Sequence, residues 1–155
     1  MSDPSEPVDF MWMSRALEQA RAAAGAGEVP VGAVLVRDGR ILAEGNNRTV
    51  RDSDPTAHAE VVAIRKGGAR IGDWRLTRTT LYATLEPCAL CAGAAVLARI
   101  PRVVYGAPDP KAGMAGSLND LLRDPRLNHR CRVTSGVLAQ PSGTLLKEFF
   151  RERRG

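Results

Sequence analysis

The sequence predicts an α/β protein in which one mixed sheet of about five strands carries helices on both faces. Three observations lead there. Residues 31–36 and 40–46 are strand-like runs joined by Asp38-Gly39, a hairpin turn signal. Beyond the hairpin, strand and helix patterns alternate as βαβαβ. Ahead of it, Met13, Leu17, Ala20 and Ala24 recur at helical spacing and form an apolar stripe that needs a sheet to pack against.

Asp9 is placed to cap that first helix, and Gly25 and Gly27 stop it. The run 31–36 is apolar, as a buried strand would be, and 40–46 returns as its antiparallel partner until Asn47 ends it. After the loop 48–55, Thr56 caps a second helix that passes through His58, Glu60 and Ile64 to a break at Gly67-Gly68. Residues 79–84 form the next strand, 88–100 the third helix and 102–107 the fourth strand. An irregular loop, 108–116, follows; Ser117 caps a short helix, 133–138 is the last strand, and a final helix starts at Ser142. Functional residues in such sheets lie beyond the strand ends, where Asn47, the Pro87-Cys88 corner and the loop after Ala107 converge.

At 155 residues the chain is expected to form a single domain, 1–155, with a substantial core. Hydrophobic residues make up 44% and charged ones 25%, and no apolar run approaches the roughly 20 residues of a membrane helix, so no membrane partner is expected. Residues 1–9 are acidic and polar, unlike a signal peptide, which points to the cytoplasm. Cysteine usage agrees, since Cys131 is left over beside a C-x-x-C pair and is expected to pack in a strand as a small hydrophobe. The formal charge of +5 suits a polyanionic partner, the more so because Arg123, Arg126, Arg130, Arg132, Lys147, Arg151, Arg153 and Arg154 gather in the C-terminal third. The plainer reading of that cluster is a solvated basic face.

Chemistry concentrates in Thr84-Leu85-Glu86-Pro87-Cys88-Ala89-Leu90-Cys91, read with Thr56-Ala57-His58-Ala59-Glu60. Cys88 and Cys91 offer two thiolates one helical turn apart, and His58 offers a third ligand. Three protein ligands leave the fourth position of tetrahedral zinc open to water, which marks a catalytic site rather than a closed structural one. Glu60 then stands free as a carboxylate that can take a water proton and hand it to a substrate. Alone, C-x-x-C is as readily redox-active or a structural zinc knuckle, and a lone His-x-Glu is ordinarily nothing. Together they form a signature already known for the zinc nucleobase deaminases, H-x-E followed by P-C-x-x-C. Both halves fall at helix starts, whose positive ends keep thiolates ionised.

The chain further resembles, nearly end to end, the bacterial tRNA-specific adenosine deaminases of the cytidine-deaminase superfamily. The residues that carry the resemblance include Glu28-Val29-Pro30-Val31-Gly32-Ala33, Asn46-Asn47-Arg48, Trp74-Arg75-Leu76, Arg102-Val103-Val104-Tyr105-Gly106-Ala107, Gly116-Ser117-Leu118 and Asn128-His129-Arg130. The resemblance implies a three-layer α/β/α cytidine-deaminase-like fold, a homodimer and one zinc per subunit held by His58, Cys88 and Cys91. It implies hydrolytic conversion of adenosine to inosine at the wobble position of a tRNA anticodon stem-loop, chiefly of an arginine tRNA, with Glu60 shuttling protons. Asn47 would hydrogen-bond the flipped adenine and its sugar, Ala59 belongs to the same substrate-binding set, and Asp109, Lys111, Asn128 and His129 would contact anticodon riboses and phosphates. Pro108 departs from the polar residue common at that position, which bears on peripheral RNA contacts and not on the chemistry.

Two other readings remain open on the residues. A free-base or nucleoside deaminase acting on guanine or cytosine would share the zinc signature. A non-catalytic RNA-binding module with a structural zinc would need a fourth ligand, for which His129 is the one candidate, and would have no use for Glu60. Phe149 and Phe150 in the final helix either offer a stacking surface to RNA or pack in the core.

Overall fold

The computed structural model describes residues 2–154; Met1, Gly155 and the side chain of Arg154 lie outside the described residues. The elements are α1 (Pro7–Gly25), β1 (Gly32–Arg37), β2 (Arg40–Asn46), α2 (Ala59–Ile71), β3 (Thr79–Leu85), α3 (Ala89–Leu97), β4 (Arg102–Ala107), β5 (Arg132–Thr134) and α4 (Ala139–Arg154). They build one sheet in the order β2-β1-β3-β4-β5. β1 pairs antiparallel with β2 and β3, whereas β3, β4 and β5 run parallel. The fold is thus the three-layer α/β/α arrangement with a mixed five-stranded sheet.

Alternation along the strands sorts the core into two halves. Val34, Val36, Tyr82 and Val104 point to one face, where they meet Met13 and Ala16 of α1. Ala33, Leu35, Leu81, Val103 and Tyr105 point to the other, against Ala59 and Ala63 of α2 and Ala92 and Ala95 of α3. β2, β3 and β4 all run the same way, β2 and β3 each being antiparallel to β1, so α2 after β2 and α3 after β3, on one face, start at the same end of the sheet. Cys131 is buried in the second half of the core as a small hydrophobe, but one residue ahead of β5 and not in a strand as expected.

Several boundaries differ from the sequence reading. The N-cap of α1 is Glu6, not Asp9; Asp9 sits at the third helical position, and its carboxylate accepts the Glu6 amide at 2.7 Å. The N-cap of α2 is His58, because the Thr56 hydroxyl donates to Asp54 Oδ1 instead. That helix also passes through Gly67-Gly68 to a left-handed cap at Gly72. Gly67 is tolerated there because a Cβ would stand 2.6 Å from Leu35 Cδ2, so the bare backbone lets helix and strand close together. No helix follows Ser117, whose amide and hydroxyl both donate to Glu86. β5 is only Arg132–Thr134, and α4 starts three residues ahead of Ser142, with Pro141 in a first turn that has no amide partner to lose.

The first helix is locked to the sheet by charge. Arg102 donates to both oxygens of Asp9 at 2.8 and 2.7 Å, the Tyr82 hydroxyl donates at 2.7 Å, and Arg102 also reaches Thr134 Oγ1 at 3.0 Å. Asp9 is fully buried. Burial alone would raise its pKa, but Arg102, the Glu6 amide and the Tyr82 hydroxyl outweigh it and hold the carboxyl below its ordinary value. Removing one partner of such a pair strands the other in a dry site, so Asp9→Asn should lose about 3–5 kcal/mol by urea unfolding at neutral pH. A depressed pKa contributes stability above the unfolded value, about 4, and loses it as pH falls through the folded one. The gap between wild type and variant should therefore narrow below about pH 4.

Candidate metal centre and active site

Two helix starts meet beyond the C-terminal end of β3. His58 and Cys88 are the N-caps of α2 and α3, both in extended backbone, so each side chain projects ahead of its helix. His58 Nδ1 lies 3.5 Å from Cys88 Sγ and 3.5 Å from Cys91 Sγ, and the three donor atoms all fall within 4.8 Å of one another. Bonds of about 2.3 Å to sulfur and 2.0–2.1 Å to nitrogen, meeting at the tetrahedral angle, would separate the two ligand atoms by about 3.5–3.6 Å. Two thiols and an imidazole at this spacing can therefore hold a metal ion in a tetrahedral array with one position left over.

The protonation of the group follows from its crowding. Hydrogen bonding from the Cys91 thiol, then from His58, pulls Cys88 down to about 3 against the effect of burial. The same bond pushes Cys91 upward, and Cys88 raises His58. Glu60, in the first turn of α2, is 4% exposed. Burial lifts its pKa to about 7, with Cys88 adding to the lift and His58 opposing it. A carboxyl poised near neutrality can both take and give a proton at working pH.

The site opens into a pocket of about 300 Å³. Asn47, Ala59 and Asp109 share its lining with His58, Glu60 and Cys88, while Cys91 is buried behind them. Beside it, sharing Val29, Leu85, Asp109 and Ala112, runs a wider groove of about 800 Å³ that includes Lys111, Lys147, Phe150 and Arg153.

Residues 8–154 match the profile of the MafB19-like deaminases. The chain is 47% identical to the tRNA-specific adenosine deaminase of Bacillus subtilis (strain 168), over 94% of this chain and 91% of that one. It belongs to the tRNA-specific adenosine deaminase family. A solved structure from studies of A-to-I editing by tRNA:A34 deaminases at the wobble position superposes with a TM-score of 0.85 at 45% identity, covering 88% of this chain and 99% of that one. The guanine deaminase of Bacillus subtilis is more distant, at 35% identity and a TM-score of 0.63, over 94% and 93% of the two chains.

Asn128 and His129 do not join the deaminase pocket. Asn128 is exposed, and His129 Nε2 donates to the Ile100 carbonyl at 2.7 Å, just ahead of β4. That is the opposite end of the parallel strands from Cys88, so His129 is no fourth ligand within this chain. Two acidic residues to which the sequence reading gave no role do frame the pocket. Glu28 fastens the loop after Asn47. Glu86, 2% exposed, receives the amides of Asp109 (2.9 Å), Ala115 (3.0 Å) and Ser117 (3.0 Å) and the Ser117 hydroxyl. Those donors outweigh burial and keep Glu86 below the usual carboxylate pKa. The only sequence signal was an acid closing an otherwise apolar or hydroxylic strand.

Loop 108–118 thus folds around Glu86, with backbone turns and a single antiparallel bridge between Ala115 and Asp120 beside it. Its Asp109 Oδ1 also accepts the Lys111 and Ala112 amides at 3.1 and 3.2 Å, which turns the chain past the pocket mouth. A Cβ on Gly113 would stand 2.3 Å from the Glu86 carboxyl carbon. Gly113→Ala should accordingly cost about 1–3 kcal/mol in urea unfolding, the usual penalty of overpacking. An unchanged unfolding midpoint would mean that the loop is not anchored on Glu86.

Proposed function

We propose that the chain is a zinc-dependent tRNA adenosine deaminase that hydrolyses the wobble adenosine, position 34 of the anticodon and chiefly of an arginine tRNA, to inosine and ammonia. The observation that carries the reading is the trio His58, Cys88 and Cys91 beside a buried Glu60, at the floor of a pocket in a chain of this family. Zinc, when bound by the trio, supplies Lewis acidity that lowers the pKa of a water toward 7. Glu60 takes the proton of the water that attacks C6 of adenine and delivers it to N1. The same carboxyl then moves the remaining hydroxyl proton to the exocyclic amine, so that the C6–N6 bond breaks, ammonia leaves, and C6 keeps the oxygen.

Around that chemistry, Asn47 hydrogen-bonds the flipped base and its sugar against the Ala59 wall. Asp109 and Lys111 reach the flanking ribose and phosphate, and Asn128 and His129 act on the RNA from outside the pocket. The groove supports an oligonucleotide in preference to a free base, because Phe150 is 46% exposed there among Lys111, Lys147 and Arg153. Phe149 is half-buried, packs edge-on to Phe150 and lies beneath Arg153, whose guanidinium also donates to the Gly27 carbonyl. A free base would leave that groove idle.

The protein acts as a single domain and as a homodimer in the cytoplasm. Support for the dimer comes from α3, whose outward side carries Leu90 and Leu97, 38% and 70% exposed, with Gly93 and Ala94 between them. No helix among the described residues is long and apolar enough to cross a membrane.

The decisive measurement is nucleoside analysis of an anticodon stem-loop, with adenosine at the wobble position, after incubation with the purified protein; inosine is expected, and its absence would sink the reading. Glu60→Gln should keep one zinc per chain and lose activity by at least ~10²- to 10⁴-fold. Loss of zinc in that variant would make the carboxylate a ligand. Cys88→Ala should lose the metal and, because binding and folding are coupled, stability with it. Replacing Lys147 and Arg151 together by Ala should raise KM and flatten its salt dependence with kcat nearly unchanged.

A further inference from the structure

Asn47 opens a loop, residues 47–58, that belongs to no helix or strand, yet the proposed base contact requires it to be held still. Its side-chain Oδ1 accepts only the Thr49 amide, at 3.3 Å, and its own amide donates to the Val31 carbonyl at 3.1 Å. The firmer restraint comes from Glu28. That side chain is fully buried and accepts the amides of Val50 (3.0 Å) and Arg51 (2.8 Å) together with Arg51 Nε (3.0 Å). From Glu28 the guanidinium of Arg51 reaches onward, with one nitrogen donating at 2.6 Å both to the Asn47 carbonyl and to Asn46 Oδ1. Asn46 in turn donates to Gln19 on α1 at 2.9 Å.

Glu28 also begins a segment that shares the pocket lining with Asn47, since Val29 and Val31 both line it and the Val31 carbonyl accepts the Asn47 amide. One carboxylate therefore holds the loop after Asn47 to the segment that carries Val29 and Val31, reinforcing the single backbone bond between Asn47 and Val31. We infer that Glu28 is a positioning residue for the substrate base, setting through Arg51 the place of Asn47 against the Val29–Val31 wall. This rests on the reading of Asn47 as the base contact. A carboxylate suits the task because three N–H groups converge on it, and an amide in its place would turn an NH₂ toward at least one donor and lose the ion pair with Arg51.

The test is a double-mutant cycle on the anticodon stem-loop, with kcat, KM and zinc content measured for wild type, Glu28→Gln, Asn47→Ala and the pair. Glu28→Gln should raise KM about 10-fold or more with a smaller change in kcat and full zinc. In the Asn47→Ala background the same change should alter kcat/KM less than about 3-fold. Multiplying effects, or no effect of Glu28→Gln on KM, overturn the inference while leaving the Asn47 reading in place. An Asn47→Ala variant with wild-type kinetics overturns that reading and the inference with it. Should Glu28→Gln fail to fold, Arg51→Met interrupts the same bridge from its solvent side and is expected to give the same KM rise and the same non-additivity, with additivity again counting against the inference.

Discussion

Everything at the site depends on two helices beginning at one point. β3 and β4 run parallel, so the α3 crossover between them must start where β3 ends, and α2 on the same face starts beside it. Each first turn leaves backbone amides without intrahelical partners, and the aligned peptide dipoles add positive potential in the same place. A thiolate is a group such a place stabilises, and Cys88 is held well below the usual thiol pKa there. His58 and Cys88 occupy the N-cap positions themselves, where extended backbone throws the side chain forward of the helix, and this is why donors thirty residues apart in sequence stand 3.5 Å apart.

Buried glutamates show how little burial decides by itself. Glu28, Glu60 and Glu86 are all at most 4% exposed. Glu28 and Glu86 are surrounded by N–H and O–H donors from loop segments, and both stay ionised below the usual pKa. Glu60 has few donors and a thiolate for a neighbour, so desolvation prevails and its pKa rises to about 7. The first two act as fixed anions around which irregular chain is wound. The third, short of donors, is the one left able to exchange a proton. One residue type thus serves scaffold and chemistry according to the number of donors offered to it.

This difference also explains what the sequence could disclose. The bounds of β2 and β4 were legible because local pattern and tertiary burial agree there, and the metal trio was legible because the chemistry tolerates few residue types at that spacing. Ser117 misled because its hydroxyl looks like a helix cap, while its bond goes to Glu86, thirty-one residues earlier. Thr56 misled in the same way, since its hydroxyl turns back to Asp54. Asn128 and His129 stand in a motif carried over by resemblance, and their place at the far end of β4 could not be read from spacing. Glu28 stood in a segment that carried the resemblance, but nothing in the sequence gave it a role, for its partners are more than twenty residues away and mostly backbone amides.

The shape of the site constrains the substrate as strongly as its chemistry does. A pocket of about 300 Å³ is at the small end of ligand sites, and its floor is formed by residues set back behind the loops on Glu28 and Glu86. A base stacked and paired in a duplex cannot bring C6 to that floor, whereas a base in a single-stranded loop is extruded at lower cost. In the proposed reading the neighbouring nucleotides leave along the groove, whose lining includes a phenylalanine ring and three cationic side chains. Stacking there is indifferent to sequence and charge contacts are indifferent to base, so the groove supplies affinity without choosing a nucleotide. Discrimination among bases is left to the pocket walls. With Asn47 as the proposed base contact, its position relative to Val29 and Val31 is the dimension on which selectivity for adenine would most directly depend.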